Sequence, residues 1–281
     1  MSTKKAKKWY WYLVTRIQRK QNIARLKNSD YLPANKIGKD YEAQLKGTFD
    51  EEEKDEIEKI DRLRYDLLSS NEKIIIKEIG GLKDETDQKE EAYIAIKDIC
   101  KNAASPKKWA EFQFRLIRSF RPSHCLELGT NLGVSGCYSL SALKLNEQGS
   151  LVTLEGNPQL SELAAKNFEE LNLKRFEIAV GLFNETLGDV LNKYKTFDYA
   201  FIDGHHDMEA TILYFDMIKP YLASNAIVIF DDINWSNGMQ KAWQTISMDK
   251  KITAVFDFYK LGIIVYNAKV EKSKIQYRLS L

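Results

Sequence analysis

Carboxylates and imidazoles gather at two strings of this chain, Phe201-Ile202-Asp203-Gly204-His205-His206-Asp207 and Ile229-Phe230-Asp231-Asp232-Ile233-Asn234-Trp235. Each starts apolar, as a buried strand does, and ends in acids. Adjacent strand ends of this kind would bring Asp203, Asp231, Asp232 and Asn234 together. Several carboxylates in one place repel, so such a group carries raised pKa values, a Lys or Arg partner, or a bound cation. Oxygen ligands suit Mg²⁺, Mn²⁺ or Ca²⁺. Hydrogen-bonded cap residues and a metal-free acid–base site are the other readings. Two of the three histidines, His205 and His206, fall in the first string, and at least one can face a ligand as general base or metal ligand. His124, just before an earlier apolar run, reads as structural.

A second kind of chemistry is suggested upstream by Glu127-Leu128-Gly129-Thr130-Asn131-Leu132-Gly133-Val134-Ser135-Gly136. Glycines at 129 and 133 permit a tight turn and close approach of backbone to a ligand, with a helix N-terminus following. The spacing is GxxxG, which differs from the GxGxxG that wraps a pyrophosphate. The next apolar run ends at Glu155-Gly156, and a carboxylate there can accept both hydroxyls of a ribose. Leu182 and Phe183 end a third run and could flank a flat apolar base, with core packing as the alternative for Phe183.

These residues need a scaffold that lines up strand ends. From His124 onward, short apolar runs alternate with helical patterns: Cys125–Leu128 then 134–144, Leu151–Leu154 then 159–171, Phe176–Val180 then 184–194, Tyr199–Ile202 then 207–219, Ala226–Phe230 then 237–247. Such alternation predicts βα units and a parallel sheet covered on both faces, an α/β fold. Ile252–Tyr259 and Leu261–Asn267 are separated by too little chain for a parallel crossover, so they pair as an antiparallel hairpin. Ahead of this region, 92–102 and 109–119 have amphipathic helical spacing, and Pro106 can start the second helix. Gly80-Gly81 and the polar stretch Lys83 to Glu91 mark a loop or boundary, so the chain divides into a helical extension over 1–85 and an α/β domain over 86–281.

The balance of 42 Lys+Arg against 40 Asp+Glu, with 44% hydrophobic and 29% charged residues in 281, is that of an ordinary globular protein and excludes fibrous or collagen-like classes. No apolar run approaches the roughly 20 residues that span a bilayer. Three cysteines without CxxC spacing favour neither a disulfide framework nor a zinc site and point to a reducing, cytoplasmic compartment. The near-neutral balance conceals a segregation. Residues 1–29 contain nine Lys/Arg and no acid, interleaved with Trp9, Tyr10, Trp11, Tyr12, Leu13, Val14 and Ile17, whereas 50–61 carries eight acids. The basic arm does not read as a secretory signal, being broken by Arg16. It predicts either a helix packed on the body of the protein or on a second subunit of a homo-oligomer, or one that meets anionic membrane, peripherally at the inner membrane, or nucleic acid. The acidic run, continued by Leu63, Tyr65, Leu67 and Leu68, predicts a helix with an exposed acidic face.

Taken together, Glu127/Gly129/Gly133, Glu155, Asp203 and Asp231-Asp232 on successive strand ends, followed by a hairpin, resemble a class I S-adenosylmethionine-dependent methyltransferase over about residues 90–268. Leu126-Glu127-Leu128-Gly129-Thr130, Ile202-Asp203-Gly204-His205-His206 and Phe230-Asp231-Asp232-Ile233-Asn234-Trp235 are similar to a bacterial group of small-molecule O-methyltransferase-like proteins, distantly related to catechol O-methyltransferase. The resemblance implies a doubly wound, Rossmann-like seven-stranded sheet of order 3-2-1-4-5-7-6 with strand 7 antiparallel. It implies that Glu127 and the 129–133 loop, Thr130 included, hold the methionine part of the cofactor, and that Glu155 with Gly156 holds its ribose. Phe183 and Asp203 complete the expected cofactor set. In the metal-dependent branch, Asp203, Asp231 and Asp232 would bind Mg²⁺ or another divalent cation. Where the catechol enzymes place a lysine base, this chain has His206, so His206, Asp203 and His205 are the catalytic candidates. The reaction implied is methylation of a hydroxyl on a small-molecule acceptor. The missing GxGxxG argues against an NAD-dependent oxidoreductase; a cofactor-binding module delivered to RNA or membrane by the basic arm is the remaining alternative.

Overall fold

A computed structural model describes residues 3–77, 91–269 and 274–281. In chain order the elements are α1 (Thr3–Lys27), α2 (Leu32–Lys46), α3 (Glu51–Ser69), β1 (Lys73–Lys77), β2 (Glu91–Ala95), α4 (Ile96–Ala103), α5 (Lys107–Phe120), β3 (His124–Leu128), α6 (Val134–Leu145), β4 (Ser150–Glu155), α7 (Pro158–Glu170) and β5 (Phe176–Val180). They continue with α8 (Phe183–Tyr194), β6 (Phe197–Ile202), α9 (Met208–Ile218), β7 (Leu222–Phe230), α10 (Asn237–Ser247), β8 (Ile252–Asp257), β9 (Gly262–Tyr266) and β10 (Ile275–Arg278). The chain forms two compact units, Thr48–Phe197 and Met1–Gly47 together with Asp198–Leu281.

In the unit Thr48–Phe197, β3, β4 and β5 lie side by side in parallel, with Glu127 opposite Thr153 and Glu155 opposite Val180. The strands are short and apolar because helices cover them: α6 is buried along 134–143, as a helix wedged between other elements must be. The acidic run becomes α3, started by a capping box in which Asp50 accepts from the Glu53 N–H and Glu53 reaches back to the Asp50 N–H. Its acids pair within this unit: Glu53 with Arg118, Glu56 with Lys59 and Lys144, and Asp61 with Lys107. The helix expected over 92–102 is shorter than its spacing suggested. Residues 91–95 form β2, antiparallel to β1, and the helix starts at Ile96. The loop expected at Gly80-Gly81 and Lys83 onward, and the expected boundary at 85/86, lie outside the described residues.

In the other unit the strand order is β10-β8-β9-β7-β6. Strand β9 is antiparallel to both neighbours, Phe230 and Asp257 both facing Gly262, so the predicted hairpin β8–β9 is present. The order expected as 3-2-1 corresponds to β5-β4-β3, and that expected as 4-5-7-6 corresponds to β6-β7-β9-β8. One strand was not anticipated: β10 adds in parallel to β8, with Tyr277 stacked on Phe256 at 6.0 Å. The core of this unit includes Phe215, Phe230 and Trp243 in edge-on and tilted ring contacts.

Helix α1 is fastened to the last residues of the chain. Trp11 Nε1 donates to the Leu279 carbonyl at 3.3 Å, Arg19 Nη2 to the Ser280 carbonyl at 3.2 Å, and Asn22 Nδ2 to the Arg278 carbonyl at 3.3 Å. Tyr41 of α2 donates to the same Ser280 carbonyl at 2.8 Å, and the Trp11 ring meets Tyr259 edge-on at 5.7 Å. No helix among the described residues is long and apolar enough to cross a membrane.

Candidate active site

The glycine loop follows β3. Gly129 (φ 103°) and Gly133 (φ 75°) occupy backbone conformations that side chains disfavour. The Gly129 and Thr130 N–H groups both donate to the Leu154 carbonyl, at 3.0 and 3.2 Å, which ties the loop to the end of β4. Gly133 has a further reason for its identity: a Cβ there would lie 2.8 Å from the Phe168 ring and 3.0 Å from Ala164 Cβ, so its bareness serves the packing of α7.

Glu127 is buried and hydrogen-bonded through both carboxylate oxygens. Ser135 Oγ donates to its Oε1 at 2.6 Å and Thr153 Oγ1 to its Oε2 at 2.7 Å, while Thr130 and Thr153 share a hydroxyl hydrogen bond of 2.6 Å. Burial pushes the Glu127 carboxyl up to about 7, against the pull of the Ser135 and Thr153 hydroxyls. Glu155 ends β4 beside the loop. It accepts from the Asn131 N–H at 2.8 Å and the Asn157 N–H at 2.9 Å. Burial raises its pKa, and the amides of Asn157, Asn131 and Gly156 oppose that rise. A carboxylate offers about four acceptor positions, so these bonds fix its direction and leave acceptor capacity for a ligand. Phe183 is a buried core residue at the start of α8.

The acidic strings lie in the other unit. After β6, His205 and His206 both adopt left-handed backbone (φ 61° and 40°), which turns the chain sharply before Asp207 caps α9. The Nε2 atom of His206 lies 3.6 Å from Asp203 Oδ1, and its ring sits 6.3 Å from that of exposed Trp235. His205 instead shares a 2.7 Å hydrogen bond with the Tyr214 hydroxyl through Nδ1 and stacks on that ring. Burial lowers the His205 pKa.

After β7, Asp231 is buried, and Lys260 Nζ lies 2.8 Å from both of its carboxylate oxygens and 2.9 Å from Asp232 Oδ1. Burial pushes the Asp231 carboxyl up and Lys260 draws it back. Burial also opposes the Lys260 charge, but Asp231 and Asp232 outweigh that effect and raise its pKa. The β8–β9 turn is stitched to this loop elsewhere too: the Ile233 N–H donates to the Lys260 carbonyl at 3.0 Å, and Asn234 Nδ2 donates to the Tyr259 carbonyl at 2.8 Å.

In these contacts the residues of the expected metal triad, Asp203, Asp231 and Asp232, are engaged by side chains of the protein. The cation that compensates the acidic pair is the Lys260 ammonium, and Asp203 turns to His206. Among the described residues no group of three His, Cys, Asp or Glu side chains is placed to hold a metal ion. A divalent ion does not fit this donor set. The expected cofactor residues Glu127, Gly129, Thr130, Gly133, Glu155 and Gly156 do converge on the adjoining ends of β3 and β4. Sequence reasoning missed Lys260, Ser135, Thr153 and Tyr214. An uncompensated Asp-Asp pair was the one available signal for the first.

Residues 126–233 match the family model described as a methyltransferase domain. Among solved structures, the chain is similar to the SAH-bound methyltransferase PaMTH1 of Podospora anserina, at 19% identity over 58% of this chain and 80% of that one, TM-score 0.51. It is similar to an O-methyltransferase from Bacillus cereus in complex with SAH, at 21% identity over 59% and 84% of the two chains, TM-score 0.51. It is also similar to the O-methyltransferase TomG of Streptomyces achromogenes, involved in tomaymycin synthesis and bound to SAM, at 18% identity over 59% and 83%, TM-score 0.51. No curated protein matches. The fold is therefore the Rossmann-like α/β fold that these solved structures share, and the match to the methyltransferase-domain model is confined to residues 126–233.

Proposed function

We propose that the protein is an S-adenosylmethionine-dependent O-methyltransferase acting on a small-molecule hydroxyl without a divalent ion. The observation that carries this reading is the Glu155 carboxylate, aimed by backbone N–H groups of Asn131 and Asn157 at the end of β4. A carboxylate so held suits a ribose diol. Glu127 and the Gly129–Gly133 loop would hold the methionine end, with the polar network of Ser135, Thr153 and Thr130 keeping that end rigid. When bound, the cofactor supplies an electrophilic sulfonium methyl group.

The chain's own residues provide the acid–base chemistry. His206, whose Nε2 lies 3.6 Å from Asp203 Oδ1, is suited to take the proton of an acceptor hydroxyl. His205, hydrogen-bonded to Tyr214 and with its pKa lowered by burial, is a positioning residue for the turn. Exposed Trp235 offers a flat face to an aromatic acceptor.

Titration calorimetry with S-adenosylhomocysteine tests the reading. Wild type should bind, and Glu155→Gln, which keeps shape but loses charge, should bind at least about tenfold more weakly, a loss near 1.4 kcal/mol. Equal affinity of the two proteins, or no binding by wild type, would overturn it. Transfer to a panel of phenolic acceptors should survive excess chelator and fall in His206→Gln.

A further inference from the structure

Helix α1 is amphipathic in the reverse of the usual sense. At 100° per residue, Trp11, Thr15, Arg19, Asn22 and Leu26 share one side of the helix, and this is the side fastened to the C-terminal residues. Three of those five are polar, yet Thr15, Asn22 and Leu26 are buried. The opposite side carries Trp9, Leu13 and Ile17 at i, i+4 and i+8, flanked by Tyr10. These four large apolar side chains are 63, 42, 74 and 66% exposed, respectively. Isolated exposed apolar residues are ordinary in folded proteins, but a helical stripe of four is not.

The charge on this helix selects among partners. Residues 3–27 contain nine Lys/Arg and no acid, and Arg16 and Lys20 flank the stripe in exposed positions. A second copy of the helix would set like charges against each other. Nucleic acid would satisfy the charge, but Leu13 and Ile17 offer no flat face on which a base could stack. An anionic lipid surface meets both requirements: headgroups for Lys and Arg, the acyl boundary for Leu13 and Ile17, and the interfacial zone for Trp9 and Tyr10. We infer that the outward face of α1 is a docking surface for anionic membrane, on which the folded protein lies without inserting a span. This goes beyond methyl transfer and does not depend on it.

The test is flotation of the full-length protein with vesicles of phosphatidylcholine containing about one third phosphatidylglycerol, alongside vesicles of phosphatidylcholine alone, at roughly 0.15 M salt. Wild type should float with the anionic vesicles and stay behind with the neutral ones. The double variant Leu13→Ser/Ile17→Ser changes only exposed side chains, so it should keep the wild-type circular dichroism and thermal midpoint while its partitioning drops at least about tenfold. Arg16→Glu/Lys20→Glu should lose vesicle binding as well. Failure of wild type to float, equal flotation with neutral lipid, or unchanged flotation of Leu13→Ser/Ile17→Ser would overturn the inference. So would self-association, or binding of single-stranded RNA in place of vesicles, that the same double variant abolishes.

Discussion

The ammonium of Lys260 sits 2.8 Å from each oxygen of the Asp231 carboxylate, closing a charge cluster that also includes Asp232. Lys260 comes from the turn between β8 and β9, and Asp231 from the end of β7. One interaction thus compensates a buried acid and pins a hairpin to the loop that carries Asn234 and Trp235.

Removing the lysine should therefore be costly. Lys260→Met leaves Asp231 buried against a second carboxylate, and breaking such a pair typically costs roughly 3–5 kcal/mol. Urea unfolding should register that loss, and Lys260→Met/Asp231→Asn should recover part of it because the orphaned charge is gone. In the wild-type protein, neither millimolar Mg²⁺ nor chelator should move the thermal midpoint, since a ligand that binds only the folded state would raise it.

Glu127 predicts a pH dependence. Its pKa rises from 4.5 to about 7 in the folded protein, so the folded state keeps a proton that the unfolded chain releases. The associated stabilisation is complete below pH 4.5 and is lost as pH rises through 7. Denaturant titrations of the cofactor-free protein across that window should show wild type weakening relative to Glu127→Gln, which has no proton to lose. Superposable pH profiles would refute the assignment.

Gly133→Ala should fold poorly even though it adds one methyl group. Left-handed backbone costs an L-residue roughly 1–2 kcal/mol, and the new methyl would meet Phe168 and Ala164 of α7. A fall in thermal midpoint accompanied by weaker cofactor binding is expected, whereas Gly129→Val should impair binding because the loop it strains is the cradle itself.

Arg19→Ala and Asn22→Ala, combined, delete hydrogen bonds to the Ser280 and Arg278 carbonyls. At roughly 0.5–1.5 kcal/mol per bond, the loss should loosen α1 before the rest of the chain. Limited proteolysis should then cut within α1 sooner than in wild type, while the core backbone amides of β7 and β9 keep their hydrogen-exchange protection.

The parallel strands were legible because burial on both faces forces short runs such as Tyr199–Ile202 and Ala226–Phe230 to be apolar throughout. Strand β10 was not, because Ile275-Gln276-Tyr277-Arg278 is an edge segment with alternating exposure and only four residues. The strand β2 was read as helix for a related reason: Ala92 and Tyr93 are exposed, so no inward face announces a sheet. In the site, Glu155 and the acidic pair stood out by type and position. Their partners did not. Ser135 and Thr153 are hydroxyls of no distinctive spacing, and Lys260 lies 29 positions beyond Asp231 on a turn where lysine is commonplace.

The clasp between α1 and the C-terminal residues also sets an order of events during synthesis. Arg19 and Ser280 are 261 positions apart. At a ribosomal rate of about 5–20 residues per second, the helix emerges roughly 13 to 50 seconds before its binding partner exists. Throughout that interval its inward side, later covered, is as open as its outward one. Helix α1 is thus seated long after it is made, and nascent chains stalled short of residue 278 should present it to whatever chaperone or surface they meet first.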